Sequence, residues 1–259
     1  MSRNGNTMDT LATIVERFAV RGGVETIRPY GSGHINDTYL VEVTDRETGA
    51  YILQRKNHYV FKDVPAMMDN IGRVTHHIVE KQRSAGARDH SITVARLINT
   101  LAGGNYHCDD DGNFWCMMEY IPESTSHDVV ADPDLAYQGG RAFGVFQRLV
   151  SDLPLPPLHE TIVDFHNMLF RYRQFHEAMQ HPVADRRSTA APEVAFARAR
   201  EREMCDYYRQ LIDTMPERVT HNDTKFNNIL FDRQGRARCI IDLDTVMPGY
   251  VHYDFGDAI

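Results

Sequence analysis

Residues 221–244 constrain the local fold more than any other part of the chain. They read His-Asn-Asp-Thr-Lys-Phe-Asn-Asn, then an apolar stretch, a polar turn and a second apolar stretch that ends at Asp242. The pattern predicts two short strands, Asn228–Phe231 and Arg238–Ile241, joined by a tight turn. Because the second strand of a hairpin returns along the first, we expect Asp242 to lie beside Asn228.

The polar side chains of this segment suit phosphoryl transfer from a nucleotide. Asp223 can accept a hydrogen bond from an attacking hydroxyl and orient it, and Lys225 can reach the γ-phosphate and offset its charge. Asn228 and Asp242 can hold Mg²⁺, and Asp244 is a second acidic candidate, as a further ligand or as a substrate contact. The alternative is a polar turn after a helix, in which Asp and Asn serve as cap and turn formers.

A competing candidate for the magnesium carboxylate is the literal Asp-Phe-Gly at Asp254–Gly256, the string that marks this role in protein kinases. Asp254 lies twelve residues past Asp242, with a Pro-Gly pair between them. The hairpin returns Asp242 to the loop, whereas nothing in the sequence returns Asp254. We therefore expect Asp254 and Asp257 to hydrogen-bond backbone groups and not to bind the metal.

A glycine-rich turn precedes the second predicted strand. Gly31 and Gly33 flank Ser32, and glycine lets a backbone approach phosphates closely with its amides as donors, so these three residues are candidates for nucleotide binding. The turn is not a P-loop, since it lacks Gly-Lys-Ser/Thr. It is not a dinucleotide fingerprint either, since Asn36 stands at the third glycine position and a strand follows. The alternative is an ordinary hairpin turn.

The third predicted strand, Tyr51–Arg55, should carry a cation towards the α- and β-phosphates. We assign this role to Arg55, with Lys56 on the opposite face by the alternation of a strand. The alternative is a surface cation at a strand end. Glu80, on the long helix predicted after this strand, is the candidate acidic partner.

The segment Met117–Pro122 ends the predicted sheet. An extended backbone here could pair with the edge of adenine, so Glu119 and Ile121 are further candidates for nucleotide binding. A strand rich in methionine is also typical of ordinary core, which is the alternative.

The order of predicted elements indicates an α+β fold of the bilobal, protein kinase-like kind. Residues 1–121 form the predicted nucleotide-binding lobe, an antiparallel sheet with one covering helix, and residues 122–259 form a mostly helical lobe that carries the catalytic loop. The predicted strands are 24–29, 38–43, 51–55, 92–98 and 114–120, and the predicted helices are 8–20, 65–83, 135–150, 163–180 and 193–215.

Composition excludes several classes of protein. The net charge is −8 over 259 residues, which argues against a nucleic-acid partner because phosphate backbones require clustered Lys and Arg. No apolar run approaches the length of a membrane span, and the polar N-terminus lacks the features of a signal peptide, so we expect a cytoplasmic protein. The four cysteines form no Cys-x-x-Cys pair, and disulfides are not expected in that compartment.

These motifs resemble the aminoglycoside phosphotransferase/choline kinase-like superfamily, whose signature is His-Gly-Asp, four residues, Asn and a later Ile-Asp. The closer resemblance is to N-acetylhexosamine 1-kinases, over residues 30–38, 51–63, 221–228 and 241–249. It implies ATP- and Mg²⁺-dependent phosphorylation of the anomeric hydroxyl of an N-acetylhexosamine. The sugar would then lie near Asp223, within reach of three residues of the glycine-rich turn: His34, Asn36 and Asp37.

Members of that family continue for about a hundred residues of helical lobe beyond the point where this chain stops at Ile259, so the resemblance implies that the last helices of the lobe are missing. Two alternatives remain open. The acceptor could be another hydroxyl compound, such as choline, homoserine or an aminoglycoside. The chain could also be an inactive remnant that binds a nucleotide without turnover.

Overall fold

The computed structural model describes residues 4–31, 33, 35–85, 92–130, 132–181 and 186–259. The chain divides into two compact units, Met1–Thr161 with Val219–Ile259 and, separately, Ile162–Arg218. This division does not fall at residues 121 and 122, and the lobe boundary there stays a prediction.

The first unit is built on an antiparallel sheet. Its elements, in chain order, are α1 Asn4–Val15, β1 Val24–Pro29, β2 Asp37–Val43, β3 Ala50–Lys56, α2 Val64–Ala85, β4 Thr93–Val94, β5 Leu97–Ile98, β6 His107–Cys108 and β7 Phe114–Glu119. The strand order in the sheet is β1-β2-β3-β7-β5, and the short strand β6 also pairs with β7. Helix α1 precedes the sheet in the sequence, and helix α2 follows its third strand.

Alternation along β3 decides which face of the sheet is core. Tyr51 and Leu53 are buried, and Leu53 pairs with Met117 of β7. Helix α1 covers this face with its apolar stripe, so that Val15 and Phe18 join the same buried cluster. Burial of these apolar side chains is the main term that holds helix and sheet together.

Helix α2 begins after Asp63, whose Oδ1 accepts a hydrogen bond from the amide of Ala66 at 3.0 Å. The predicted helix at 65–83 is confirmed, and its apolar stripe faces the core, since Met68, Ile71, Val74 and Ile78 are all buried.

One predicted strand, 92–98, is divided in the structure. β4 pairs in parallel with Cys239 and Ile240 of the later strand β10 (Ala237–Ile240), while β5 pairs with β7 of the large sheet. The two residues between them redirect the chain from one sheet to the other, a change that an apolar pattern cannot show.

The remainder of the first unit carries the predicted hairpin. Residues 229–231 and 237–240 pair antiparallel, which confirms the expected strands and turn. Phe143 and Phe146 of helix α3 pack edge-on against the ring of His221. The bounds are α3 Pro133–Val150, β8 Arg218–Thr220, β9 Ile229–Phe231, β10 Ala237–Ile240, β11 Met247–Gly249 and α7 Val251–Asp257, with single 3₁₀ turns at Phe226–Asn228 and Leu243–Thr245.

The second unit is helical, with α4 at Met168–Gln180, α5 at Arg186–Thr189 and α6 at Ala191–Thr214. The Tyr172 hydroxyl donates to the carbonyl of Ala197 at 3.0 Å and joins α4 to α6. The prediction that the first of these helices begins at 163 is wrong. Asn167 caps the helix through its side chain, which accepts from the amide of Phe170, and so sets the later start.

Two expectations from composition can be compared with the fold. Across the described ranges, no helix combines the length and apolar character needed to cross a membrane. All four cysteines are free thiols, and Cys108 and Cys116 lie on the neighbouring strands β6 and β7.

Candidate active site

The loop after β8 brings Asp223 and Asn228 together. The Asn228 amide donates from Nδ2 to the Asp223 carbonyl at 2.9 Å and to its Oδ2 at 3.1 Å. The Lys225 ammonium lies 2.9 Å from the same Oδ2. Burial lowers the pKa of Lys225, but the hydrogen bond and charge of Asp223 outweigh it and raise the pKa, so the side chain is a cation at neutral pH.

The hairpin then returns Asp242 to this loop. The amide of Ile241 donates to the carbonyl of Asn228 at 3.0 Å, which places the end of β10 beside the end of the loop. Burial, together with the negative charges of Asp244 and Asp223, raises the pKa of Asp242 to about 6 against the opposing charges of Lys56 and Lys225. Three carboxylates are therefore close enough to repel one another, as expected where a cation is to be bound.

No group of three or more His, Cys, Asp or Glu side chains within the described residues could hold a metal ion alone. Mg²⁺ requires less, because it is commonly bound by one or two carboxylates together with substrate phosphates and water. Asp242 could supply a carboxylate, and Asn228 could supply its amide oxygen because its Nδ2 is directed at Asp223. These two residues fit a Mg²⁺–nucleotide complex.

Asp244 is held by protein contacts on both oxygens. Its Oδ1 lies 2.6 Å from the Lys56 ammonium, and its Oδ2 accepts from Nδ2 of Asn36 at 2.7 Å. Lys56 is only 3% exposed, and burial lowers its pKa, but the charge and hydrogen bond of Asp244, together with the neighbouring Cys116 and Asp242, raise the pKa above its ordinary value. Lys56 therefore stays charged, with Asp244 as its counter-charge, and the role of Asp244 as a metal ligand stays a prediction.

The structure places Lys56, and not Arg55, at the acidic cluster. Arg55 forms an ion pair with Asp37 on the exposed side, and its guanidinium lies 5.8 Å from the Trp115 ring centroid. Alternation separates Arg55 from Lys56 as expected, but it is Lys56 whose face turns towards the loop. Tyr51 and Leu53 lie on the same face of β3 as Arg55, and the structure buries them in the core beneath helix α1. The opposite face, which carries Lys56, therefore turns towards the loop.

The acidic partner proposed on helix α2 is also corrected. Glu80 pairs with Arg83 one turn further along the same helix, with 2.8 Å between Oε1 and Nη1. The partner of the buried cation comes instead from the 3₁₀ turn at Leu243–Thr245, which follows the hairpin.

Gly31 has a φ of +79°, which favours glycine, and a Cβ added at Gly31 or Gly33 would meet no atom within 4 Å. These two glycine positions therefore face open space. Ser32 and His34 lie outside the described residues. Asn36 accepts from the amide of Asn57 at 3.1 Å as well as donating to Asp244, so it ties the turn to the acidic cluster.

Two of the residues expected to bind the acceptor, Asn36 and Asp37, thus make contacts within the protein. The same holds at the end of the sheet. The Glu119 carboxylate pairs with Arg96, and the Ile121 carbonyl accepts from the hydroxyl of Ser124 at 2.7 Å.

Asp254 and Asp257 hold the loop from behind, as expected. Asp254 accepts from the amides of His221 at 3.0 Å and Asn222 at 2.8 Å, and it also bonds to Gln147. Asp257 accepts from the amide of Thr224 at 2.5 Å. Asp254 of the literal Asp-Phe-Gly string therefore anchors the catalytic loop, because its carboxylate accepts hydrogen bonds from the backbone amides of that loop.

His221 is buried and packs within the loop. Its Nε2 lies 3.1 Å from the carbonyl of Ile241, and since a carbonyl only accepts, Nε2 carries the proton. Burial lowers the pKa of His221, so the ring is neutral. Asn222 follows with a φ of +65°, a conformation that Asn tolerates better than most residues.

Comparison with known proteins gives one family match and several solved structures of similar fold. A family model described as "Phosphotransferase enzyme family" matches residues 26–259. The structure is similar to the amicoumacin kinase hAmiN in complex with AMP-PNP, Ca²⁺ and Ami, with a TM-score of 0.62, 13% identity and coverage of 99% of this chain and 70% of that one.

Two further solved structures show the same fold. An aminoglycoside phosphotransferase from Alicyclobacillus acidocaldarius gives a TM-score of 0.63 at 13% identity, covering 95% of this chain and 69% of that one. A spectinomycin phosphotransferase in complex with ADP and spectinomycin gives 0.57 at 13% identity, covering 96% and 71%. The expected α+β, protein kinase-like fold with an antiparallel N-terminal sheet is confirmed.

Proposed function

Because this chain belongs to the phosphotransferase enzyme family, we propose that it transfers the γ-phosphoryl group of ATP to a hydroxyl of a small molecule, and that the acceptor is an N-acetylhexosamine. The observation that carries the proposal is the convergence of Asp223, Asn228 and Asp242 after β8 and β10. Phosphoryl transfer needs little covalent chemistry from the protein and depends on positioning and charge, which these groups supply.

Asp223 orients the attacking hydroxyl. Its Oδ2 already receives hydrogen bonds from Asn228 and Lys225, so the carboxylate is held in one orientation, and its Oδ1 is left to accept from the acceptor hydroxyl. The proton passes to Asp223 as the new O–P bond forms, while the bond from the γ-phosphorus to the β–γ bridging oxygen breaks and ADP leaves. The Lys225 ammonium, about half exposed, offsets negative charge on the transferring group.

Asn228 and Asp242 hold Mg²⁺ in this proposal. When bound, Mg²⁺ would neutralise charge on the β- and γ-phosphates. Lys56 supplies the cation for the α- and β-phosphates from the end of β3, with Asp244 fixing its position. The open backbone at Gly31 and Gly33 leaves room for the phosphates, and adenine lies along the backbone from Glu119 to Ile121.

The N-acetylhexosamine assignment is supported by the motif resemblance, from the glycine-rich turn to the stretch that follows Asp242. The alternative is another hydroxyl compound, and the net charge of −8 would suit a cationic acceptor. A panel of N-acetylglucosamine, N-acetylgalactosamine, choline, homoserine and an aminoglycoside, each with Mg²⁺-ATP, tests this. We expect a sugar 1-phosphate as product. Nucleotide binding without turnover on any acceptor would indicate the inactive remnant instead.

Replacement of Asp242 by Ala should raise the Mg²⁺ concentration needed for half-maximal ATP binding by about tenfold or more, because the metal loses its only carboxylate in the proposed set. Isothermal titration with AMP-PNP at several Mg²⁺ concentrations measures this. Asp213→Ala, an exposed carboxylate of α6, is the control and should leave the titration unchanged. Equal Mg²⁺ dependence in the two variants would remove Asp242 from the metal site.

Replacement of Lys56 by Met should raise KM for ATP by about tenfold or more, whereas Arg55→Met should change it by less than about twofold. Lys56→Met leaves the buried carboxylate of Asp244 without its partner, which costs about 3–5 kcal/mol of stability. The double variant Lys56→Met/Asp244→Asn removes both charges and therefore avoids this loss of stability. Steady-state kinetics with thermal unfolding distinguish the two effects. A larger KM change for Arg55→Met than for the double variant would restore Arg55 as the phosphate cation.

A further inference from the structure

Asn70 is a buried amide in the middle of helix α2, with 0% of its surface exposed. Its Nδ2 donates to the carbonyls of His159 at 2.8 Å and Val246 at 3.0 Å, and its Oδ1 accepts from the amide of His159 at 2.8 Å. Asn is a weak helix former, and burying its amide is costly unless it is paired. All three bonds go to the backbone of other segments, so this side chain connects parts of the fold.

One of these segments follows the proposed metal carboxylate. The amide of Val246 donates to the carbonyl of Leu243 at 3.1 Å and closes the turn that begins just after Asp242. On its other side, the Thr245 hydroxyl donates to the carbonyl of His221 at 2.7 Å, and Asn222 donates to the carbonyl of Thr245 at 3.0 Å. The turn is thus held between the catalytic loop and Asn70.

Helix α2 is itself hydrogen-bonded to the segment between residues 149 and 159. Arg73 donates to the carbonyls of Pro154 at 3.3 Å, Pro157 at 3.2 Å and Pro156. Further along the helix, Lys81 bonds to the carbonyl of Leu149 at 3.1 Å. Positions 70, 73, 77 and 81 share one helix face, and each bonds to the chain between residues 149 and 159.

We propose that Asn70 is a positioning residue for the magnesium site. It holds the carbonyl of Val246 against a helix that is itself hydrogen-bonded to the chain between residues 149 and 159, and so limits where the turn after Asp242 can place that carboxylate. Metal affinity depends on such outer contacts, because they fix the ligand before the metal arrives. The inference rests on the proposed function, in which Asp242 is the metal ligand.

The test compares Asn70→Ala and Asn70→Leu with the parent protein. Leu keeps the branched shape of the Asn side chain in a larger volume and suits a helix, but it can neither donate nor accept. Comparison of Leu with Ala therefore separates loss of the hydrogen bonds from loss of packing. Gln82→Ala is the matched control, since Gln82 is a second buried amide of α2 that donates to a backbone carbonyl, that of Ile92 at 2.6 Å. Calorimetric binding of AMP-PNP at several Mg²⁺ concentrations needs no turnover, and thermal unfolding is measured in parallel.

We expect both Asn70 variants to need about tenfold more Mg²⁺ for half-maximal binding. We expect Gln82→Ala to lose thermal stability with an unchanged Mg²⁺ requirement. If Asn70→Leu binds with the Mg²⁺ requirement of the parent, or if Gln82→Ala shifts it equally, Asn70 is a structural residue only and the inference is overturned. If the parent binds AMP-PNP without any Mg²⁺ dependence, the proposed function fails and the inference fails with it.

Discussion

Asp223→Asn is expected to lower kcat by about a thousandfold while leaving ATP binding within about twofold of the parent. Asn keeps the size of the side chain and can still pair with Asn228 and Lys225 through its amide oxygen. It cannot accept the proton of the attacking hydroxyl, and it loses the negative charge that orients this hydroxyl. The defect should therefore lie in the chemical step and not in nucleotide affinity.

Steady-state kinetics on the best acceptor of the panel give kcat, and calorimetry with AMP-PNP gives the nucleotide affinity. Asp110→Asn makes the same isosteric change on the exposed turn between β6 and β7, and its kinetics should equal those of the parent. Turnover of Asp223→Asn within about tenfold of the parent would exclude Asp223 as the residue that accepts the proton.

Asp254→Ala is expected to lower the free energy of unfolding by about 2–6 kcal/mol, because it leaves two buried amides without an acceptor. Asp254 is 4% exposed, and its two oxygens accept from the amides of His221 and Asn222. Because Asp254 anchors the loop, we expect the fraction of this variant that remains folded to bind AMP-PNP with the Mg²⁺ dependence of the parent.

Chemical denaturation measures the change, and AMP-PNP binding at several Mg²⁺ concentrations gives the metal dependence. Asp254→Asn retains one acceptor oxygen and should lose roughly half as much stability. A variant that unfolds like the parent but requires far more Mg²⁺ would contradict the structural role. It would place the metal carboxylate within the literal Asp-Phe-Gly string and away from Asp242.

The hairpin after the catalytic loop was predictable because its signals are local. Two short apolar runs on either side of Asp232–Gly235 leave few alternatives to an antiparallel pair, and the pair then decides where Asp242 lies. The expectation that Asp254 bonds to backbone followed from the same reasoning, since only one acidic residue could be returned by that pair.

The cation of β3 was not predictable in the same way. Alternation separates Arg55 from Lys56, but only the packing of α1 against Tyr51 and Leu53 shows which face is core. The partner of Lys56 is 188 residues away in the sequence. No local pattern marks such a contact, because an Asp near a turn has many other uses.

Asn70 shows the same limit more clearly. In the sequence it is one polar residue in an amphipathic helix, where polar residues are usually exposed, yet it is fully buried and bonded to Val246, 176 residues away.

The sequence alone thus determined the elements and chemistry that depend on neighbouring residues: the hairpin, the apolar face of α2, and the order of Asp223, Asn228 and Asp242. The tertiary structure decided which buried polar groups pair across the fold, namely Lys56 with Asp244 and Asn70 with Val246. The physical reason is that hydrophobic periodicity is a local property, whereas a buried polar side chain must find a partner wherever the packed chain brings one within reach.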